Sequence, residues 1–146
     1  FPYTTLFRSY HMALITSAVA NGGRLMEPYF VEEVTNYSGT IVEETDPESY
    51  GQLMTSEEAA QLKAYMQNVT DYGTGSVFAG SGYSVAGKTG TAEYSDGDSS
   101  KNHSWFVGFT NVDNPELVIS VIIEEADGNV RAVDVAKQIL DSYYYN

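Results

Sequence analysis

Apolar positions recur along this chain at two spacings, and the changes between them mark out its elements. Over residues 10–21, Met12, Ile15, Ala18 and Val19 return at helical intervals, and Asn21-Gly22-Gly23 supplies a stop, so a helix is predicted. Pro28-Tyr29-Phe30-Val31 and Gly39-Thr40-Ile41-Val42 read as two short strands around an Asn36-Tyr37-Ser38-Gly39 turn. The acidic stretch 43–51, interrupted by Pro47, reads as an exposed loop. A second helix is predicted from about Thr55. There Thr55 and Glu58 have the spacing of a capping box, in which each side chain satisfies an orphan backbone donor of the first turn. Ala59, Leu62, Tyr65, Met66 and Val69 form its apolar stripe, and Tyr72-Gly73-Thr74-Gly75 ends it.

Three strands follow, over about 83–93, 104–110 and 117–124. The polar stretch 95–102 suits a hairpin loop, and 111–115 separates the second strand from the third. Links this short favour antiparallel pairing, because a parallel crossover needs a dozen residues or more. Asp127-Gly128-Asn129 turns the chain into a last helix over 130–144, whose Val133, Ala136, Ile139, Leu140 and Tyr143 make a stripe able to pack on the sheet. The order is helix, hairpin, helix, three-stranded sheet, helix. This is an α/β layer arrangement with an antiparallel sheet and flanking helices, without an internal repeat or a second domain.

Composition narrows the classes of function. A chain of 146 residues with 42% hydrophobic and 13% aromatic content can bury a core. No apolar run approaches the ~18–20 residues that cross a bilayer, and no secretory signal is visible. A formal charge of −13 disfavours nucleic acid and anionic membrane surfaces as partners. With no cysteine, disulfides, zinc–thiolate sites and cysteine nucleophiles are all excluded, and neither a metal nor a cofactor is expected. Phe1 to Ser9 matches, at all nine positions, the in-frame translation of a short-read sequencing adapter. The expected organisation is therefore an adapter-derived segment over 1–9 and one structural unit over 10–146.

Candidate chemistry centres on Gly87-Lys88-Thr89-Gly90-Thr91-Ala92-Glu93. Lys88 gives a fixed positive charge that can lower the cost of a deprotonated oxygen or hold a carboxylate. Thr89 and Thr91 offer hydroxyl donors to the same carboxylate. Gly90 has no side chain, so an extended peptide can lie against the strand as an added one. The backbone N–H of Thr91 is a candidate donor to a tetrahedral oxyanion. Strict alternation puts Lys88 and Thr91 on opposite faces, so the two serve one site only if the strand borders a cleft and presents its edge. Trp105 and Phe106 read as packing residues, and His103 as a hairpin-end histidine.

Lys-Thr-Gly is one of three motifs of penicillin-binding proteins and serine β-lactamases. The resemblance extends over 10–146. His11-Met12-Ala13, Ala18-Val19-Ala20-Asn21-Gly22-Gly23, Pro28-Tyr29, Gly73-Thr74-Gly75, the Lys88–Glu93 run, His103 to Phe109 and Ala136 to Leu140 resemble, in order, the blocks of class B penicillin-binding proteins. That resemblance implies the C-terminal part of a D,D-transpeptidase domain, a truncated piece of the penicillin-binding transpeptidase and serine β-lactamase-like fold. Lys88 and Thr91 would then be catalytic, and Lys88, Thr89, Gly90 and Thr91 would bind substrate. Peptidoglycan stem peptides ending in D-Ala-D-Ala, and β-lactams, would be the partners of the intact parent. The parent would be extracytoplasmic and anchored to the bacterial cell membrane.

The inventory departs from that family in one respect. No serine is followed by lysine three positions on, so the Ser-x-x-Lys nucleophile of the family is absent from these residues, and the chain alone is expected to be inactive. Ser100-Lys101-Asn102 fits the family's Ser-x-Asn pattern but follows Lys-Thr-Gly instead of preceding it, and reads as a chance match in a polar turn. Surfaces covered in the family would be bare, so exposed apolar patches, an open strand edge and self-association are expected. Two other functions share these features. A non-catalytic module could dock extended peptides at Gly90, and a fragment of a serine β-lactamase or carboxypeptidase would carry the same triplet.

Overall fold

The computed structural model describes residues 2–96, 99–126 and 128–145. Its elements run α1 (Pro2–Ala20), β1 (Arg24–Met26), β2 (Glu33–Thr35), β3 (Ile41–Glu44), β4 (Ser49–Gln52), α2 (Ser56–Asp71), a 3-10 turn (Ser76–Phe78), β5 (Val85–Asp96), β6 (Ser99–Thr110), β7 (Val118–Ala126) and α3 (Ala132–Tyr145). The predicted order of helices and strands is present. The three long strands pair antiparallel in the order β5-β6-β7.

Several boundaries differ from expectation, each for a local reason. The first helix is not confined to 10–21: it runs back through the segment 2–9. The strands expected at 28–31 and 39–42 lie further on, at 33–35 and 41–44. Asn36 sets the turn between them: its Oδ1 accepts from the N–H groups of Ser38 (2.9 Å) and Thr40 (3.0 Å). The expected loop 43–51 holds the end of β3 and the start of β4. β4 pairs with β1, a two-stranded clasp too short and too polar to show any alternation in sequence. The hairpin between β5 and β6 is far tighter than a loop over 95–102, since pairing continues to Asp96↔Ser99. Residues 97 and 98 at its centre, and Asp127 in the turn before α3, lie outside the described residues.

The capping box at α2 is formed in both directions. The Glu58 N–H donates to Thr55 Oγ1 (3.2 Å), and the Thr55 N–H donates to Glu58 Oε2 (2.8 Å).

Helices cover both faces of the β5-β6-β7 sheet, and the register decides which residue looks where. On one face Val85 and Phe106 pack with Ala132, Val133, Ala136 and Leu140 of α3 and with Phe78 of the 3-10 turn. On the other, Ala86 and Phe109 pack with Val19 and Ala20 at the end of α1. Phe106 and Phe109 are both fully buried, each contributing about 1.5–3 kcal/mol of apolar transfer. Phe106 thus proves to be a core residue, as its sequence context predicts.

The C-terminal end of α3 is tied down by a polar cluster. Tyr83 donates to Asp141 Oδ1 (2.7 Å), Lys137 Nζ donates to both Asp141 oxygens (2.5 and 2.6 Å), and the Gly82 N–H donates to the Tyr145 hydroxyl (2.7 Å). The Tyr83 ring stacks on Tyr144 with centroids 4.4 Å apart. The Lys137 ammonium and the Tyr83 hydroxyl together hold the Asp141 carboxyl below its ordinary range. Burial, followed by the bond to Asp141, pushes the Tyr83 phenol well above its own.

The β2–β3 hairpin stands apart from this core, with Tyr37 and Val42 exposed on it and Phe30 exposed just before it. No helix among the described residues is long and apolar enough to cross a membrane.

Candidate functional site

β5 is an edge strand, hydrogen-bonded to β6 on one side only. Its first residues belong to the core: Val85, Ala86 and Gly87 are buried. From Lys88 the strand emerges, and Lys88, Gly90 and Thr91 are exposed. The Lys-Thr-Gly segment therefore borders open space, as shared service of one site by residues on opposite faces requires.

The pairings Lys88↔Val107 and Gly90↔Trp105 put these four residues on one face of the sheet. His11 and Met12 of α1 complete a largely apolar cavity of about 340 Å³ there, with Thr89 also on its wall. Lys88 curls along this wall, its Nζ donating to the Thr89 carbonyl at 2.5 Å. Gly90 is the gap in the wall. A Cβ there would meet nothing nearer than the Trp105 Cβ at 3.4 Å, so the bare backbone leaves a ligand room to approach.

Thr89 and Thr91 share the other face, opposite Phe106 and Ser104. The Thr89 hydroxyl lies 2.5 Å from that of Thr74, in the turn that ends α2. Ser104 turns inward and accepts from the Ala132 N–H at the start of α3 (2.9 Å). The four expected site residues thus divide into two pairs flanking one strand edge: a cation and a bare backbone on one face, two hydroxyls on the other.

Other sequence-level candidates fall elsewhere. His103 is not at a hairpin end; it lies within β6, and its Nδ1 accepts from the Glu125 N–H at 3.1 Å. Asn102, the last residue of the Ser-x-Asn string, pairs with Glu93, five positions along β5 from Lys88, and Lys101 forms an ion pair with Glu125 (3.1 Å). Trp105 lines the cavity beside Lys88 and Gly90. His11, Met12 and Thr74 were not singled out as site residues by sequence. Met12 reads as one position of the first helix's apolar stripe and His11 as its neighbour, and Thr74 sits in what reads as a plain helix stop. Among the described residues no cluster of His, Asp and Glu could hold a metal ion.

Residues 8–141 match the family model described as the penicillin binding protein transpeptidase domain. The chain is 32% identical to the peptidoglycan D,D-transpeptidase MrdA of Haemophilus influenzae over 92% of its own length and 23% of that protein. It is 33% identical to the stage V sporulation protein D of Bacillus subtilis over 79% of its own length and 18% of that protein. It thus spans about a quarter or less of these relatives. Among solved structures, the D,D-transpeptidase domain of a peptidoglycan glycosyltransferase from Eggerthella lenta superposes with a TM-score of 0.75 at 33% identity, covering 94% of this chain and 33% of that one. Penicillin-binding protein 2B of Streptococcus pneumoniae shares the fold, with a TM-score of 0.79 at 22% identity, over 91% of this chain and 24% of that one. On the family match and these identities, the chain belongs to the penicillin-binding protein transpeptidase family.

Proposed function

We propose that this chain is the C-terminal, substrate-holding portion of a peptidoglycan D,D-transpeptidase domain, over residues 10–146, and that it is inactive by itself. The observation that carries this reading is the placement of Lys88-Thr89-Gly90-Thr91 on an exposed sheet edge beside an apolar cavity. An extended peptide laid along that edge extends the sheet, with Gly90 offering no side chain in the way. Its terminal carboxylate takes hydroxyl donors from Thr89 and Thr91. Lys88 offsets negative charge where the acyl group is transferred, and the Thr91 N–H is one donor to the oxyanion. In the complete enzyme a serine attacks the D-Ala-D-Ala carbonyl, the terminal D-Ala leaves, and an amine of a second stem peptide takes the acyl group from the serine.

Such a parent works outside the cytoplasm, held at the cell membrane by residues beyond this segment, and is acylated by β-lactams. Tyr37 and Val42, exposed on the hairpin, Phe30, exposed just before it, and the open edge of β5 favour self-association of the isolated chain.

The test has two arms. The 146-residue chain, incubated with a fluorescent penicillin, is expected to show no covalent adduct by intact-mass spectrometry, since none of its serines has lysine three positions on. A stoichiometric adduct overturns the inactive-portion reading. The full-length polypeptide that carries this segment is expected to be acylated; if it is not, the transpeptidase reading falls. Reversible binding of a D-Ala-D-Ala peptide, with no acylation in either arm, is the outcome that selects a non-catalytic peptide-binding module.

A further inference from the structure

The turn between α2 and β5 holds one feature that the Lys-Thr-Gly strand alone does not explain. Past the last turn of α2, the N–H groups of Tyr72, Gly73 (3.1 Å) and Gly75 (3.0 Å) all converge on the Val69 carbonyl. The backbone winds close to the helix end, so that a side chain on either side of Thr74 would press on it. A Cβ at Gly73 would stand 3.0 Å from the Val69 oxygen and 3.1 Å from its Cα. One at Gly75 would stand 3.2 Å from both the Val69 oxygen and the Thr70 Cγ2. Thr74 is therefore the one side chain this winding presents, and it presents it to β5.

Two threonines, four residues apart, tie the end of α2 to that strand. Thr70, one turn back, donates its hydroxyl to the buried Val85 carbonyl. Thr74 meets Thr89 hydroxyl to hydroxyl at 2.5 Å. The first tie fixes where β5 starts. The second reaches the side chain in the middle of the Lys-Thr-Gly triplet.

A hydroxyl has one proton to give and two lone pairs to accept with. If Thr89 spends its proton on Thr74, it has none for a ligand. If Thr74 is the donor, Thr89 accepts from behind and its own proton is left to point along the open edge. A carboxylate arriving at that edge accepts hydrogen bonds and cannot donate them, so it selects the second arrangement.

We propose that Thr74 is a positioning residue for carboxylate recognition: it donates to Thr89, fixes its rotamer and turns its proton toward the carboxylate of the bound peptide or β-lactam. This inference rests on the transpeptidase reading above. Thr74 touches neither the ligand nor the reacting atoms and acts only through Thr89.

The experiment uses the full-length polypeptide carrying this segment and follows acylation by benzylpenicillin at varied concentration, so that the saturation constant and the limiting acylation rate separate. Thr74→Val is expected to raise the saturation constant about 3–10-fold, the scale of one lost hydrogen bond, with the limiting rate changed less than about 2-fold. Thr74→Ser is expected to restore it to within about 2-fold. In the Thr89→Val background, Thr74→Val is expected to add nothing, since its effect passes through Thr89.

An unchanged saturation constant in Thr74→Val, an equal defect in Thr74→Ser, or full additivity with Thr89→Val each overturns the proposal. If Thr74→Val lowers the melting temperature, Thr74→Ala replaces it. A loss that merely tracks the unfolded fraction in both variants assigns Thr74 a structural role and also overturns it. Failure of the unmutated polypeptide to be acylated counts against the transpeptidase reading instead.

Discussion

The ring of Phe106 fills the space that a side chain at position 87 would need. A Cβ built on Gly87 would stand 2.5 Å from the Phe106 Cζ and 2.7 Å from its Cε2. Phe106 is fully buried and cannot yield without disturbing the packing under α3. Gly87→Ala is therefore expected to destabilise the fold by about 1–3 kcal/mol, the usual cost of overpacking. Three residues on, Gly90→Ala meets only open space and the Trp105 Cβ, and its effect is expected to stay within about 0.5 kcal/mol. Urea unfolding followed by circular dichroism distinguishes the two. Equal destabilisation would show that the boundary between core and edge is misplaced.

Lys88 is exposed, so Lys88→Ala is expected to leave the melting temperature nearly unchanged. In the full-length polypeptide the same change is expected to slow acylation by a penicillin about 10²-fold, as removal of a group stabilising developing charge does. An acylation rate equal to that of the unmutated protein would remove Lys88 from the site.

The reciprocal bonds between Thr55 and Glu58 start α2, the helix whose far end carries Thr70 and Thr74. Thr55→Ala is expected to cost about 1 kcal/mol, the typical worth of such a cap. Thr55→Ser is expected to recover most of it. Chemical denaturation of the three proteins checks both statements.

The Tyr83–Asp141–Lys137 cluster gives the fold a limb of pH dependence on each side. Asp141 has its folded value lowered, first by Lys137 and then by Tyr83, so its contribution is full above the ordinary carboxylate value of about 4 and is lost as pH falls through the folded one. Tyr83 has its folded value raised, so its contribution is full below the ordinary phenol value of about 10 and is lost as pH rises from there. Asp141→Asn is expected to flatten the acid limb and Tyr83→Phe the alkaline limb of melting temperature against pH. Limbs unchanged by either substitution would mean that other groups govern both.

Much of this was legible in the chain, for reasons that differ by element. The long strands announce themselves as apolar runs between polar turns, and α3 through Val133, Ala136 and Leu140, which repeat at helical spacing and sit in the core, whereas Ile139 and Tyr143 of the expected stripe are exposed. The capping box is local chemistry and needs no tertiary context. β1 and β4 are invisible because a clasp of Arg24–Met26 on Ser49–Gln52 buries little and carries no alternating signal. The strand of the site is legible because Lys88-Thr89-Gly90 is contiguous. Its surroundings are not. His11 and Met12 are brought to Lys88 by the docking of α1, and Thr74 is brought to Thr89 by the winding at Gly73 and Gly75; the segments can be read locally, but their meeting with β5 is tertiary and no spacing encodes it.

β5 is built like a cantilever. Its root, Val85 to Gly87, is clamped by Thr70 and by the Phe106 ring, while its span beyond Lys88 is held laterally by β6 and, at Thr89, by the strut from Thr74. The position of the exposed residues Lys88, Gly90 and Thr91 is thus set by packing several residues away from them, and their side chains can change without altering the beam that supports them.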